Sequence, residues 1–259
     1  MIITTAFDET PLLLKQAKQL ADEFSIEFVS RNKRTIKAML ESVDSQIFVT
    51  NSLRGLSFYE LGKEEVFFHP NMAKQRINQL KNQRIDSMIQ ACGLETGMTF
   101  FDGTAGLLAD SLVASFVGAN ITACEKSFPL YLILREGIKF YQENHPEMAK
   151  LFERITLIHK DNLEVLKKLP DESFDVVYFD FMFDSTIQTS IGIQVIKSAA
   201  CADWLSQVHV KEALRVAKRC VVVKSTFHRK EELLDLGFEI RKENTKKRFF
   251  FARMVKVNE

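Results

Sequence analysis

Four acidic positions recur at one kind of place in this chain, the end of an apolar run. Asp102 closes residues 98–101 and leads into Gly103-Thr104-Ala105-Gly106; Glu125 closes residues 120–124; Asp161-Asn162 follows residues 155–159; Asp180 closes residues 176–179. Glycines after the first run let backbone approach a ligand closely. A helix starting there offers free N–H groups to an anion. Glu125 lies 19 residues beyond Gly106. An acid at about that separation from a glycine turn grips ribose hydroxyls. Asp161 is placed to accept from an adenine amine, with Asn162 beside it. The glycine spacing is not G-x-G-x-x-G, which argues against a dinucleotide. Taken singly, each position has an ordinary alternative: a plain strand-to-helix turn, a solvated carboxylate, or a helix N-cap at 161–162. Four such ends in series are far more specific.

In open α/β sheets, ligands bind outside the carboxyl ends of the strands. The four acids therefore require the four runs to be parallel strands of one sheet. The pattern supplies them. Strands at 98–101, 120–124, 155–159, 176–179 and 221–223 alternate with helices at 107–117, 129–141, 163–169 and within 190–217. Such alternation argues a doubly wound α/β fold covered on both faces. Residues 237–241 and 248–255 form a terminal antiparallel hairpin. A single long helix is expected over 72–92, ended by Gly93.

The first 68 residues read as a separate small α/β unit, so the boundary is expected at His69-Pro70. A strand at 1–6 precedes a helix at 11–24, with Thr10 as N-cap and Pro11 at its first position. A strand at 26–29, a helix at 33–43 and a small antiparallel set over 46–68 follow. This unit is expected to bind substrate or act as a lid.

Composition sets outer limits. A chain of 259 residues, 46% hydrophobic and 27% charged, is ordinary globular usage and needs no disulfide or metal staple. The formal net charge of +1 means that any nucleic-acid contact must come from a local basic face. Cys92, Cys124, Cys201 and Cys220 lack metal-ligand spacing and read as reduced buried thiols. The histidines and Trp204 read as structural. No apolar run reaches bilayer length and no charged leader opens the chain, so a cytoplasmic location is expected.

The segment Asp102-Gly103-Thr104-Ala105-Gly106-Leu107-Leu108-Ala109-Asp110 resembles the D-x-T-A-G-L-G-x-D cofactor loop of the RsmJ-type methyltransferases. Those enzymes modify the exocyclic amine of a guanine in small-subunit ribosomal RNA. The resemblance continues at Glu125-Lys126, at R-I-T-L-I-H (154–159), at V-V-Y-F-D-F-M-F (176–183) and at V-V-V-K (221–224). It covers the chain from about Phe68 onward. It implies a seven-stranded, mostly parallel Rossmann-like sheet and S-adenosylmethionine as cofactor. By motif position it implies Asp110, Glu125, Lys126, Asp161, Asn162 and Asp180 around cofactor and target, with the Asp102–Gly106 turn beneath.

Two departures carry consequences. Leu108 stands where the family loop has its last glycine and is expected to narrow the cofactor pocket. Phe181 and Asp184 replace prolines, which relaxes a stiff turn beside the target amine.

For the reaction, the sulfonium methyl is already activated, so the protein positions the partners. Asp180 and the Phe181 carbonyl are expected to accept from the target amine, and Phe183 to stack on a flipped base. Three basic groups could form an RNA face: Arg31, Lys33, Arg34 and Lys37; Lys74, Arg76, Lys81 and Arg84; and residues 241–248. Two rival readings stand beside this one. One is a methyltransferase acting on a small molecule or protein. The other is a cofactor- or RNA-binding protein that has lost transfer.

Overall fold

The structure, a computed structural model, describes residues 1–180, 204–244 and 249–256. Two sheets organise it. The larger has seven strands: β6 (Thr99–Asp102), β7 (Asn120–Glu125), β8 (Ile155–His159), β9 (Phe174–Asp180), β10 (Ala217–Thr226), β11 (Glu239–Asn244) and β12 (Phe249–Val255), in the order β11-β12-β10-β9-β6-β7-β8. The five strands from β10 to β8 are parallel, and β12 lies antiparallel between β10 and β11. This is the sheet expected from the strand–helix alternation. The chain leaves β6 toward β7 and β8, then returns across β6 to β9. The carboxyl ends of β6 and β9 therefore flank the topological switch point, where open α/β sheets bind ligands.

Side-chain alternation splits the core into two layers. Phe100, Val176 and Tyr178 face one way, with Leu112 and Val113 of α5 (Ala109–Val117) and Leu132 and Ile133 of α6 (Phe128–Asn144). Phe101, Val177 and Phe179 face the other way, with Val165 and Leu166 of α8 (Asn162–Leu166) and Ala213 and Val216 of α9 (Gln207–Val216). Each fully buried side chain of this kind contributes roughly 1.5–3 kcal/mol.

The smaller sheet has five strands: β1 (Ile2–Thr5), β2 (Glu27–Phe28), β3 (Gln46–Asn51), β4 (Gly55–Glu60) and β5 (Val66–Phe67), in the order β2-β1-β3-β4-β5. β1 is parallel to β2 and β3, while β3, β4 and β5 form the expected antiparallel set. Helix α1 (Pro11–Phe24) starts as the sequence indicates. Thr10 accepts from the Leu13 N–H at 3.2 Å, and Pro11 takes the first position.

The expected boundary after residue 68 does not separate two cores. Ile3, Phe48, Phe58 and Phe68 belong to the same buried cluster as Leu130 and Ile133 of α6. At Gly137 of α6 an added Cβ would lie 2.4 Å from the Phe68 Cβ, so glycine is what lets the two units close. The packing also fixes direction. Phe24, at the end of α1, meets Phe128 at the start of α6, with ring centroids 5.5 Å apart. Gly55, beside the carboxyl end of β3, abuts Phe140 near the other end of α6. Since α6 begins just beyond the carboxyl end of β7, the carboxyl ends of β1 and β3 point away from the switch point.

The long helix expected over 72–92 is two helices, α3 (Asn71–Lys81) and α4 (Ser87–Cys92). The chain reverses through Gln83, at φ 58°. Asp86 then caps α4 by accepting from the Met88 and Ile89 N–H groups at 2.9 and 3.2 Å. Helical periodicity runs through such a break unaltered, because both helices bury apolar residues on the same core.

Candidate active site

The loop after β6 is built from inside. Asp102 is 1% exposed and accepts from the Ser111 hydroxyl at 2.6 Å and the Thr104 N–H at 3.0 Å. Burial pushes its pKa up to about 7, against the lowering effect of those two bonds. Its carboxylate thus braces the loop from beneath and faces no open space. At Gly103 an added Cβ would lie 2.4 Å from the Phe179 ring, so no other residue fits. Gly106 has φ 52° and Leu108 φ 58°. The second value explains why a glycine suits that position: it is left-handed. The Leu108 side chain, however, is fully buried in the core with α5. The expected narrowing of the pocket is therefore corrected: this side chain is directed into the protein.

The four strand ends converge on this loop. The Thr104 hydroxyl accepts from the Asp180 N–H at 2.6 Å. Asn162 Nδ2 donates to the Gly103 carbonyl at 2.8 Å. Glu125 accepts from the Gly106 N–H at 3.2 Å and the Ser127 N–H at 2.8 Å, one on each carboxylate oxygen. Burial raises the Glu125 pKa to about 7, opposed by those backbone bonds. Each of its oxygens keeps acceptor capacity for a hydroxyl.

Asp161 differs from expectation. It is the N-cap of α8, accepting from the Leu163 and Glu164 N–H groups at 2.9 and 3.3 Å, and its other oxygen pairs with Lys126 at 2.9 Å. Burial would raise its pKa, but Lys126 and the backbone donors hold it below the usual range. The open acceptor at this strand end is instead Asn162 Oδ1, buried and without a hydrogen-bond partner among the described residues. The catalytic positions expected at Phe181 and Phe183 lie outside the described residues.

Asp110 also stands elsewhere than expected. It lies in the first turn of α5 and is buried. It accepts from Arg76 at 2.5 Å and from the Tyr178 hydroxyl at 2.9 Å, and lies 3.4 Å from Lys224 Nζ. Arg76 is clamped in turn on Asp86 at 2.8 and 2.9 Å, so it is withdrawn from the basic face proposed for it. Lys224, at the carboxyl side of β10, reaches Asp180 at 2.6 Å. Burial opposes the Lys224 charge, yet Asp110 and Asp180 hold its pKa above the ordinary value. Burial likewise opposes ionisation of Asp110, and Lys224 and Arg76 outweigh it. The result is an alternating chain of charges, Asp86–Arg76–Asp110–Lys224–Asp180, that ends at the switch point.

Lys224, Arg76, Tyr178 and Ser111 are site positions to which the sequence reading gave no such role. Lys224 and Tyr178 left a signal as members of the V-V-V-K and V-V-Y-F-D-F-M-F matches, and Arg76 as one of a basic group.

A SAM-dependent methyltransferase family profile matches residues 19–251. The chain belongs to that family. The methyltransferase is 33% identical over 247 residues to the uncharacterised protein YpiP of Bacillus subtilis, covering 94% of this chain and 95% of that one. It is 25% identical over 226 residues to ribosomal RNA small subunit methyltransferase J of Desulfotalea psychrophila, covering 83% and 82%. Against the enzyme of that name from a Shewanella species it is 33% identical over 146 residues, 54% of this chain and 56% of the relative. Among solved structures it is similar to a SAM-dependent methyltransferase from Neisseria gonorrhoeae, with TM-score 0.63 and 18% identity, over 100% of this chain and 97% of that one.

S-adenosylmethionine is the cofactor of this methyltransferase, and the residues fit it. The orphaned Asn162 Oδ1 suits a donor such as the adenine amine, and the buried Glu125 carboxylate suits ribose hydroxyls. Among the described residues, no helix is long and apolar enough to cross a membrane.

Proposed function

We propose that this methyltransferase acts on the exocyclic amine of a guanine in RNA, in small-subunit ribosomal RNA by likeness to its relatives. The observation that carries the reading is the placement of Asp180. Its backbone N–H is tied to Thr104 of the glycine loop and its carboxylate to Lys224, so one residue joins cofactor loop and switch point. The likeness to ribosomal RNA small subunit methyltransferase J supplies the RNA class.

S-adenosylmethionine, when bound, supplies a methyl already activated by the sulfonium. Glu125 and Asn162 then hold the ribose and adenine ends, while Asp102, with Ser111, braces the loop. An exocyclic amine is a weak nucleophile because its lone pair is delocalised into the ring. Asp180 accepts from its N–H, frees the lone pair for attack and receives the proton released by transfer. Lys224, 2.6 Å from that carboxylate, holds it in place. An acceptor strengthened as charge develops lowers the barrier rather than merely binding substrate.

The test is tritium transfer from labelled S-adenosylmethionine to separate pools of ribosomal RNA, total protein and small metabolites. Label in 2-methylguanosine after nuclease digestion is the expected result. Label only in protein or metabolites would overturn the RNA reading.

A further inference from the structure

A cavity of about 430 Å³ lies between α4 and the β11–β12 edge, lined by Gln90, Ala91, Arg241, Lys242, Arg253 and Val255. Three of the six lining residues are cations and none is an acid. Arg241 pairs with Glu239 at 2.9 Å, and that is the one ion pair recorded for the three among the described residues. Arg253 Nε is buried and has no hydrogen-bond partner among the described residues. The Arg253 side chain reaches the Cys220 thiol, and its buried, unbonded Nε donor is costly unless a ligand supplies the acceptor.

The register relates this cavity to the site. Lys224 pairs with Phe251 and Val222 pairs with Arg253 across β10 and β12, so Arg253 and Lys224 share a face of the sheet. Arg253 sits two residues, about 7 Å, down the strand from the level of Lys224. Asp180 lies three strands from β11, so the cavity is on the order of 15–20 Å from the target acceptor. That is a span of several nucleotides.

We propose that this cavity binds a phosphate of the RNA backbone, a few nucleotides from the methylated base. The proposal rests on the RNA reading above. A phosphodiester brings the charge that the cations lack and the oxygen acceptors that Arg253 Nε needs, and Arg241 and Arg253 present the forked donors that suit it. Gln90 adds a neutral donor at the rim.

The experiment measures binding of a labelled, mixed-sequence single-stranded RNA to the full chain between about 50 and 200 mM salt. Lys242→Glu and Arg241→Glu lie on an exposed edge strand and should leave folding intact; Arg253→Gln tests the buried donor. Each is expected to weaken RNA binding on the order of tenfold at low salt and to reduce the salt slope by about 1. S-adenosylhomocysteine affinity should not change. If the wild type binds RNA and Lys242→Glu and Arg241→Glu bind it with the same affinity and slope, the phosphate site is wrong while the RNA reading stands. If inorganic phosphate binds in a way these variants abolish, yet RNA binding is untouched, the cavity serves a free anion and the proposal is overturned. If the wild type binds no RNA at low salt, the RNA reading fails and the proposal falls with it.

Discussion

The two sheets of this methyltransferase use the same device and put different chemistry on it. Each has parallel strands with a crossover that reverses direction, and α1 and α2 (Ile36–Ser42) cover opposite faces of the smaller sheet. Each therefore has a switch point at strand carboxyl ends. In the large sheet Asp102, Glu125, Asp161-Asn162 and Asp180 stand at or just past those ends: Asp102 braces its own loop, while Glu125, Asn162 and Asp180 bond to that same loop and Asp161 pairs with Lys126. In the small sheet the strand-end residues are Thr5, Phe28 and Asn51, and the one acid bonded there among the described residues, Glu9, accepts from the Thr5 hydroxyl at 3.0 Å. The small switch point also faces away from the large one, since Gly55 abuts the far end of α6. Topology makes a crevice; the residues at the strand ends decide whether it holds a nucleoside. A lid is also a poor description of a unit whose core is continuous with the catalytic one.

The comparison breaks first at Asp180. Asp180→Ala should abolish transfer while cofactor affinity stays within about tenfold, or 1.4 kcal/mol, by calorimetry with S-adenosylhomocysteine. Loss of cofactor and activity together would move Asp180 into the cofactor site. The continuity of the two cores is sharpened by Gly137→Val, whose branched side chain must enter space that Phe68 occupies. It should cost about 1–3 kcal/mol, read as a lower midpoint of a single denaturant transition. Two separated transitions in the wild type would show that the units fold independently.

Glu125 gives the next effect. Glu125→Ala should weaken cofactor binding by about 1–3 kcal/mol through lost charged bonds. Unchanged affinity would remove the ribose assignment.

The same residue predicts a pH dependence. Its folded pKa of about 7 lies above the unfolded carboxylate range, so the folded state binds the extra proton. Its contribution to stability is complete below about pH 4.5 and is lost as pH rises through about 7. Ligand hydroxyls favour the ionised form, so cofactor affinity should instead rise from about pH 6 to 8. Glu125→Gln should flatten the affinity slope and reduce the stability slope, of which Asp102, also raised to about 7, keeps its own share; an unchanged affinity slope would assign it to another group. The smallest effect belongs to the other sheet: Asn51→Ala should leave cofactor binding and transfer unchanged. A clear loss of either would mean that the small switch point serves the reaction after all.

Much of this was legible in the residues because the signals are local. A glycine turn after an apolar run, an acid about 20 residues later and Thr10-Pro11 before a periodic stretch each report on the backbone within a few positions. Those signals set the α/β class, the strands that carry the site, the start of α1 and the terminal hairpin. Tertiary structure alone decided which side chains turn inward. Asp102, Asp110 and Asp180 look alike in sequence, yet one braces a loop, one pairs with Arg76 and Lys224, and one ends at the switch point. The break at Gln83 between α3 and α4, and the docking of the small sheet through Gly137, were likewise settled there. The physical reason is range. Spacing along a chain reports hydrogen bonds and faces a turn or two away, whereas a charge such as Arg76 finds its carboxylates 10 and 34 residues distant, through packing that no local pattern encodes.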